Sequence, residues 1–446
     1  MPRQLFGTDG VRGRAGDFLT AELALALARA AVIRCEHERP QVLIIRDTRE
    51  SGQMLEAAIA AGVTAAGGDA LLGGVLPTPA APLLVRRHGL QLAAVISASH
   101  NPYQDNGIKL FAADGFKLDD EAEHAIEAAL ADPPAVPARI GRVAPLHGAL
   151  EDYLRELHIR FEGLDLSGRR ILLDCAHGAT YRAAPEIFRR LGADVEVIAA
   201  DPDGRNINAG VGSTHLDTAT AALRDGGHDL AFAFDGDGDR VLAVDRAGDV
   251  VDGDELIALA AVHLHRTERL TGGGVAVTVM TNYGFHSAMQ TAGVQVASTA
   301  VGDRYVLDEL RRRGWTLGGE QSGHIIELGF GPSGDGIASA LLTLEALGDG
   351  DLRDRSAMAK LPQRLVNIRA ADRDSLARTM ESEAVRAAIA GEDAGLQGRG
   401  RVLVRVSGTE PLIRVMVEAP SPEETDAVCD RLAVVVRETL GPSLAS

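Results

Sequence analysis

Asp235-Gly236-Asp237-Gly238-Asp239 places three carboxylates directly after the apolar run Leu230–Phe234. Like charges this close repel one another unless a cation neutralises them. The two glycines let the backbone curl so that the carboxylates converge, and hard oxygen donors select Mg2+ or Ca2+. The loop is not an EF-hand, because its sixth and twelfth positions hold Arg240 and Arg246 where Gly and Glu are needed. An acidic solvated turn is the plain alternative. A second polar loop, Ser97-Ala98-Ser99-His100-Asn101-Pro102, follows the apolar run Leu92–Ile96. Serine beside histidine at a strand end suits a nucleophile or a phosphoryl carrier. Taken alone, the segment also reads as a Ser/Asn/Pro turn without chemistry. Asp105-Asn106-Gly107-Ile108-Lys109 follows it, either a reactive cation or a turn with a surface lysine.

Three further loops set polar groups among glycines. Gly318-Gly319-Glu320-Gln321-Ser322-Gly323-His324 suits recognition of hydroxyls on a small polar ligand, or is a Gly-rich hairpin. Arg405-Val406-Ser407-Gly408-Thr409-Glu410-Pro411, followed by Arg414, offers turn N–H groups, two hydroxyls and a guanidinium to a phosphate, or is an ordinary turn. At the start, Gly7-Thr8-Asp9-Gly10-Val11-Arg12-Gly13 could bring backbone and the Arg12 charge against a phosphate. Together these loops point to phosphoryl transfer in a cleft between domains.

Composition narrows the partners. The 446-residue chain has room for about three domains at roughly 100–200 residues each. A net charge of −18 and only 4% aromatic residues argue against a nucleic-acid or anionic-membrane partner. Only Lys109, Lys117 and Lys360 are lysines, and none follows a glycine, so there is no P-loop. Three cysteines without C-x-x-C spacing exclude a disulfide framework and a Cys-type zinc site. The N-terminus has no apolar signal core, and Ala21–Ile33, broken by Glu22 and Arg29, is too short to span a membrane. A reducing cytoplasm is the expected compartment.

The elements that must position these loops alternate between β and α along the chain. Strands are expected at Gln41–Asp47, Ala70–Val75, Leu92–Ile96 and Ile108–Phe111, with a helix over Ser51–Ala66 capped by Ser51. A Pro-rich linker at Asp132–Pro137 precedes strands at Arg170–Cys175, Asp194–Ala199 and Asp229–Phe234. Helices at Asp254–His265, Phe285–Ala292, Asp303–Arg313 and Gly336–Leu347 surround further strands at Val275–Met280 and Val294–Ser298. The tail reads as strands Leu365–Ala370, Arg401–Ser407 and Leu412–Glu418 with helices Arg373–Ile389 and Pro422–Leu440. This pattern predicts α/β units with mostly parallel sheets, then a small α+β unit, with ligand loops at strand carboxyl ends.

FGTDGVRG, SASHNP, DGDGDR, GGEQSGH and VSGTEP occur in this order over nearly the whole chain. On these motifs the chain resembles the α-D-phosphohexomutase superfamily, and FGTDGVRG together with Gln321 resembles its glucosamine branch. The resemblance implies three similar mixed α/β domains plus a smaller α+β C-terminal domain around a central active-site cleft. The boundaries then read 1–150, 151–253, 254–365 and 366–446. It implies an isomerase converting glucosamine 6-phosphate to glucosamine 1-phosphate through a phosphoserine and a 1,6-bisphosphate intermediate, with one Mg2+. The serine that matches is Ser99. The metal would be held by a phosphate oxygen on Ser99 and by Asp235, Asp237 and Asp239. Arg12 and Arg240 would hold phosphoryl oxygens, and either His100 or Lys109 would trade a proton with the reacting hydroxyl. In a chain that writes nearly every cation as Arg, Lys109 stays a compact ammonium able to exchange a proton. Glu320 and Ser322 would read sugar hydroxyls, while Ser407, Gly408, Thr409 and Arg414 would hold the phosphate that is not reacting. The expected partner is a small hexosamine phosphate, and a homodimer is left open. Phosphomannomutase and phosphoglucomutase activities share these loops. A metal-dependent sugar-phosphate phosphatase is the alternative of another class.

Overall fold

The computed structural model describes residues 5–7, 9–35, 37–131, 139–370, 372–407 and 410–441. The linker expected at Asp132–Pro137 lies outside them. The chain forms two compact units, one of residues 1–280 with 294–355, the other of residues 281–293 with 356–446.

The first unit holds three mixed sheets. The first sheet runs Val11–Arg14, Asp105–Ala112, Leu92–Ile96, Gln41–Arg46, Asp69–Val75, Val143–Pro145. Leu92–Ile96 is buried along its whole length, as a continuous apolar run covered on both faces must be. It pairs in parallel with Gln41–Arg46 and antiparallel with Asp105–Ala112, which sets the serine loop beside the Lys109 strand. The second sheet runs Val250–Val251, Val241–Asp245, Leu230–Phe234, Arg170–Asp174, Asp194–Ile198. The third runs Gln295–Thr299, Gly274–Thr278, Leu317–Gly319, Ile325–Glu327. Helices Ala21–Ile33 and Gly52–Ala65 contribute apolar faces to the core beside the first sheet.

Two local expectations change. Ser51 does not cap its helix: it is itself in the right-handed helical region, and its hydroxyl accepts from Asn106 Nδ2 at 2.9 Å. The opening strand Val11–Arg14 was not expected, being only a few residues long. Its register against Gly107 and Ile108 brings Arg12 beside the serine loop.

The second unit is an antiparallel sheet, Gln363–Arg369, Leu412–Glu418, Arg401–Val406. Helices Pro422–Leu440 and Glu383–Leu396 bury Val428, Leu432, Val436, Val385 and Leu396 into its core. Helix Tyr283–Ala292 belongs to this unit, anchored where Tyr283 N–H donates to Glu418 Oε2 at 2.8 Å. The single helix expected over Arg373–Ile389 is two, Arg373–Glu381 and Glu383–Leu396. They break at Ser382, which turns extended (φ −59°, ψ 133°). Serine is a poor residue for a helix interior and a good one for a boundary. Among the described residues no helix is long and apolar enough to cross a membrane.

One buried carboxyl links two elements of the first unit. Asp335 caps helix Gly336–Leu347 by accepting from Ala338 N at 2.9 Å, and Tyr153 O–H donates to it at 3.0 Å. Burial outweighs these hydrogen bonds and pushes its pKa up to about 6. A folded-state value above the usual 3.8 means the stability contribution is complete below about pH 4 and is lost as pH rises through about 6. Asp335→Asn removes this titration. The unfolding free energy of Asp335→Asn should therefore gain on the wild type between about pH 4 and 6 and level off above. A difference independent of pH in urea melts would contradict the assignment.

Candidate active site

Four loops meet in the first unit. Ser99 follows the carboxyl end of Leu92–Ile96, is buried, and sits in the left-handed region at φ 52°. Its Oγ donates to Asp235 Oδ2 at 2.5 Å, and His100 Nδ1 lies 3.3 Å from the same Oγ. Asp235, Asp237 and Asp239 follow the carboxyl end of Leu230–Phe234 and are all buried. The glycines between them are sterically required. A Cβ on Gly236 would stand 2.6 Å from the Ser99 carbonyl oxygen. Gly238 has φ +73°, and a Cβ there would lie 2.5 Å from Thr180.

One carboxylate oxygen from each of the three aspartates lies within 4.8 Å of the others. Asp237 Oδ2 accepts from Thr78 Oγ1 at 2.7 Å and from Lys109 Nζ at 2.8 Å. Its Oδ1 and the Asp239 Oδ1 are buried and accept no hydrogen bond from the described residues. Two unsatisfied buried carboxylate oxygens are costly, and a hard divalent cation is the partner whose chemistry suits them. Burial, followed by the charges of Asp239 and Asp237, pushes the Asp235 carboxyl well above the usual range. This is the repulsion a bound cation relieves. The donor set therefore fits a metal such as Mg2+, held by Asp235, Asp237 and Asp239, with Ser99 oxygen adjacent.

Lysines balance the rest. Lys109 Nζ is 2.8 Å from Asp237, 3.1 Å from Asp9 and 3.5 Å from Asp239, and the residue is 1% exposed. Burial opposes its charge, but Asp237, Asp9 and Asp239 overcome that and hold the ammonium above its ordinary pKa. Lys117 Nζ bridges Asp9 Oδ1 and Asp303 Oδ2, each at 2.5 Å. Burial would raise the Asp9 carboxyl, yet Lys109, Lys117 and Arg12 hold it well below the usual range. His324 Nδ1 is 3.6 Å from Asp239 Oδ2, and Gly334 N–H donates to its Nε2 at 3.1 Å. Burial opposes its charge, but Asp239 and Asp303 overcome that and raise the imidazole above its ordinary pKa. Burial, then Arg240 and Arg12, pushes the His100 imidazole below its ordinary pKa.

Arg12 pairs with Asp9, and Arg240 N–H donates to Asp235 Oδ1 at 3.2 Å. Among the described residues the Nε atoms of both arginines are buried and make no hydrogen bond, the Arg240 Nε lying 3.7 Å from Asp239 Oδ1. Donors left over beside such an acidic cluster suit an anionic ligand. Glu320, from the loop after Leu317–Gly319, lies within electrostatic reach of Arg240 and accepts from Gly302 N at 3.0 Å. Ser322 is exposed. Gln321 Nε2 donates to Asp252 Oδ2 at 3.1 Å, the N-cap of helix Gly253–Arg266, so its amide is engaged with the fold.

Ser407 and Arg414 belong to the second unit, and Gly408 and Thr409 lie outside the described residues. Within that unit Arg414 stands opposite Arg405 and Asn367 across the sheet, and its Nε makes no hydrogen bond among the described residues. Burial, then the adjacent Arg414, lowers the Arg405 pKa, the mark of two crowded guanidinium groups. Ser407 Oγ accepts from Glu410 N at 3.3 Å.

Asp9, Thr78, Lys117, Asp303 and His324 were not singled out from sequence. Asp9 and His324 stand inside motifs already quoted, and Lys117 is one of only three lysines. Thr78 and Asp303 carried no local signal.

The chain matches the phosphoglucomutase/phosphomannomutase family in four parts. Alpha/beta/alpha domains I, II and III match residues 3–135, 146–248 and 252–365, and the C-terminal domain matches 365–435. It is 46% identical over 446 residues to a phosphoglucosamine mutase of Geobacillus kaustophilus, covering 98% of this chain and 99% of the relative. A phosphoglucosamine mutase of Nocardioides sp. is 49% identical over 449 residues, with the same coverage. Among solved structures, a phosphoglucomutase/phosphomannomutase family protein of Burkholderia thailandensis superposes with TM-score 0.82 at 22% identity, covering 98% of each chain. The Aspergillus fumigatus N-acetylphosphoglucosamine mutase, solved with GlcNAc-6P and magnesium, has TM-score 0.67 at 19% identity, covering 98% of this chain and 96% of that one. These two show likeness of fold.

Asp237→Asn should weaken Mg2+ binding, read by calorimetry, by about tenfold or more, since it removes one charge from a three-carboxylate donor set. Unchanged affinity would remove Asp237 from the metal site.

Proposed function

The chain belongs to the phosphoglucomutase/phosphomannomutase family, and from that premise we propose that it interconverts glucosamine 6-phosphate and glucosamine 1-phosphate through a phosphoserine on Ser99. One observation carries the residue assignment: the Ser99 hydroxyl sits 2.5 Å from Asp235 in a buried acidic cluster that suits a divalent cation. Relatives 46–49% identical and named phosphoglucosamine mutase support the choice of sugar.

In the forward direction the bond between phosphorus and Ser99 Oγ breaks, and one to the sugar O1 forms. The O1 hydroxyl gives up its proton and the departing serine oxygen takes one. His100 Nδ1, 3.3 Å from Ser99 Oγ, is the group placed to exchange that proton. Lys109, set among three carboxylates, keeps its charge and fixes their positions. Arg12 and Arg240 use their spare N–H groups on the phosphoryl oxygens. Asp235, Asp237, Asp239 and a Ser99 phosphate oxygen would hold Mg2+, which would supply Lewis-acid polarisation of the transferring group. Transfer yields glucosamine 1,6-bisphosphate, which turns over and returns its O6 phosphoryl to Ser99. Glu320 and Ser322 contact sugar hydroxyls, and Ser407, Gly408, Thr409 and Arg414 bind a phosphate. Water must be kept from the phosphoserine, or transfer becomes hydrolysis.

A coupled assay comparing glucosamine, glucose and mannose 6-phosphates tests this reading. Glucosamine 6-phosphate should give the highest kcat/KM with no stoichiometric release of phosphate. Ser99→Ala should lower turnover by more than about a thousandfold while the protein stays folded. Near-wild-type turnover would refute the carrier assignment, and net phosphate release would make the enzyme a phosphatase.

A further inference from the structure

We propose that Arg49 and Asn208 are positioning residues that hold the Ser99 hydroxyl on its target by gripping the backbone of its loop from two sides. The proposal rests on Ser99 being the phosphoryl carrier.

Arg49 is fully buried, and all five of its side-chain N–H groups are used. Nε donates to Asp47 Oδ2 at 2.9 Å. Nη1 donates to the carbonyls of Pro102 at 2.5 Å and Asp105 at 3.0 Å. Nη2 donates to the carbonyls of Ser99 at 2.9 Å and Asn101 at 2.8 Å. The serine loop is thus wrapped around one planar guanidinium, a geometry that a lysine ammonium cannot reproduce. Asp47 extends the hold, accepting from Ser97 Oγ at 2.5 Å, and Ser97 Oγ in turn accepts from Ser99 N at 3.0 Å.

Asn208 arrives from the other side, in the loop after strand Asp194–Ile198 of the second sheet. Its Nδ2 donates to the same two carbonyls, Ser99 at 3.0 Å and Asn101 at 3.1 Å. Each carbonyl therefore receives two donors, one from each side, and both its lone pairs are used. Asn208 itself is at φ 59°, a conformation asparagine tolerates. Ser99 at φ 52° is less at ease, and such a backbone persists only where its surroundings over-determine it. The arginine and the asparagine supply that determination. Their hydrogen bonds go to the backbone, so their effect on Ser99 Oγ is through its placement beside Asp235.

Asn208→Gly keeps the positive φ and deletes the two hydrogen bonds. Arg49→Lys keeps a charge beside Asp47 and loses the fork. Each is compared with wild type in KM for glucosamine 6-phosphate, kcat, thermal unfolding, and single-turnover transfer from the phosphorylated enzyme. Misplacing a reacting atom by about 1 Å can cost about a hundredfold, so kcat and the single-turnover rate of Asn208→Gly should fall roughly ten- to hundredfold. KM should stay within about twofold and unfolding stay cooperative. Arg49→Lys should show the same split, and if it does not fold, Asn208→Gly alone decides. Undiminished transfer in Asn208→Gly, a rise in KM as large as the fall in kcat, or activity lost only in step with folded protein would overturn the proposal. Failure of the carrier reading looks different: the wild type itself would then transfer no phosphoryl group from Ser99.

Discussion

The site depends on balancing charge that has been taken out of water. Asp9, Asp235, Asp237 and Asp239 bring four carboxylates together, and Lys109 and Lys117 reach them. Removing ions from water costs several kcal/mol each unless opposite charges and hydrogen bonds replace the solvent. The two ammonium groups satisfy Asp9 and one edge of Asp237 and Asp239. They leave Asp235 with its pKa pushed up by burial and by its acidic neighbours, and two carboxylate oxygens without hydrogen bonds. The remaining imbalance is one that a hard cation would relieve. In a chain with a net charge of −18, Lys109, Lys117, Arg12 and Arg240 stand among these carboxylates.

That balance dictates much of the surrounding structure. The serine loop comes from the first sheet, the acidic loop from the second, and His324 from the third. Their backbones approach so closely that Gly236 leaves no room for a side chain against the Ser99 carbonyl. Thr78 and Lys109 both occupy Asp237 Oδ2, which fixes the carboxylate and leaves Oδ1 as its open atom. Such preorganisation lets fixed dipoles and charges act on a developing charge without rearranging when it appears.

Much of this was legible in the sequence, and the remainder was not for a definable reason. Asp235, Asp237 and Asp239 announce themselves because their spacing is local and their repulsion is costly wherever the chain folds. The alternation of strands and helices was likewise readable from periodicity. Thr78, Asp303 and Asn208 act only through contacts with residues distant in sequence, so no local pattern marks them. Lys117 and His324 left a trace, as a rare residue type and as a motif member, but their partners are set by sheet packing. Ser51 and Ser382 show the limit of local propensity. One hydroxyl was drawn from capping to Asn106, and the other residue ends a helix that the apolar pattern alone carries through. Gln321 stands in a quoted motif, but the hold of Asp252 on its Nε2 is set by helix packing and carries no local signal.

The central claim is that the buried Ser99 hydroxyl beside the acidic cluster carries the phosphoryl group. Peptide mass mapping of the purified protein, before and after incubation with glucosamine 1,6-bisphosphate, tests it most directly. One phosphate is expected, located on Ser99, with activity that rises in proportion to the phosphorylated fraction. Full activity in protein that carries no phosphate on Ser99, or a phosphate that turns over on another residue, would contradict it.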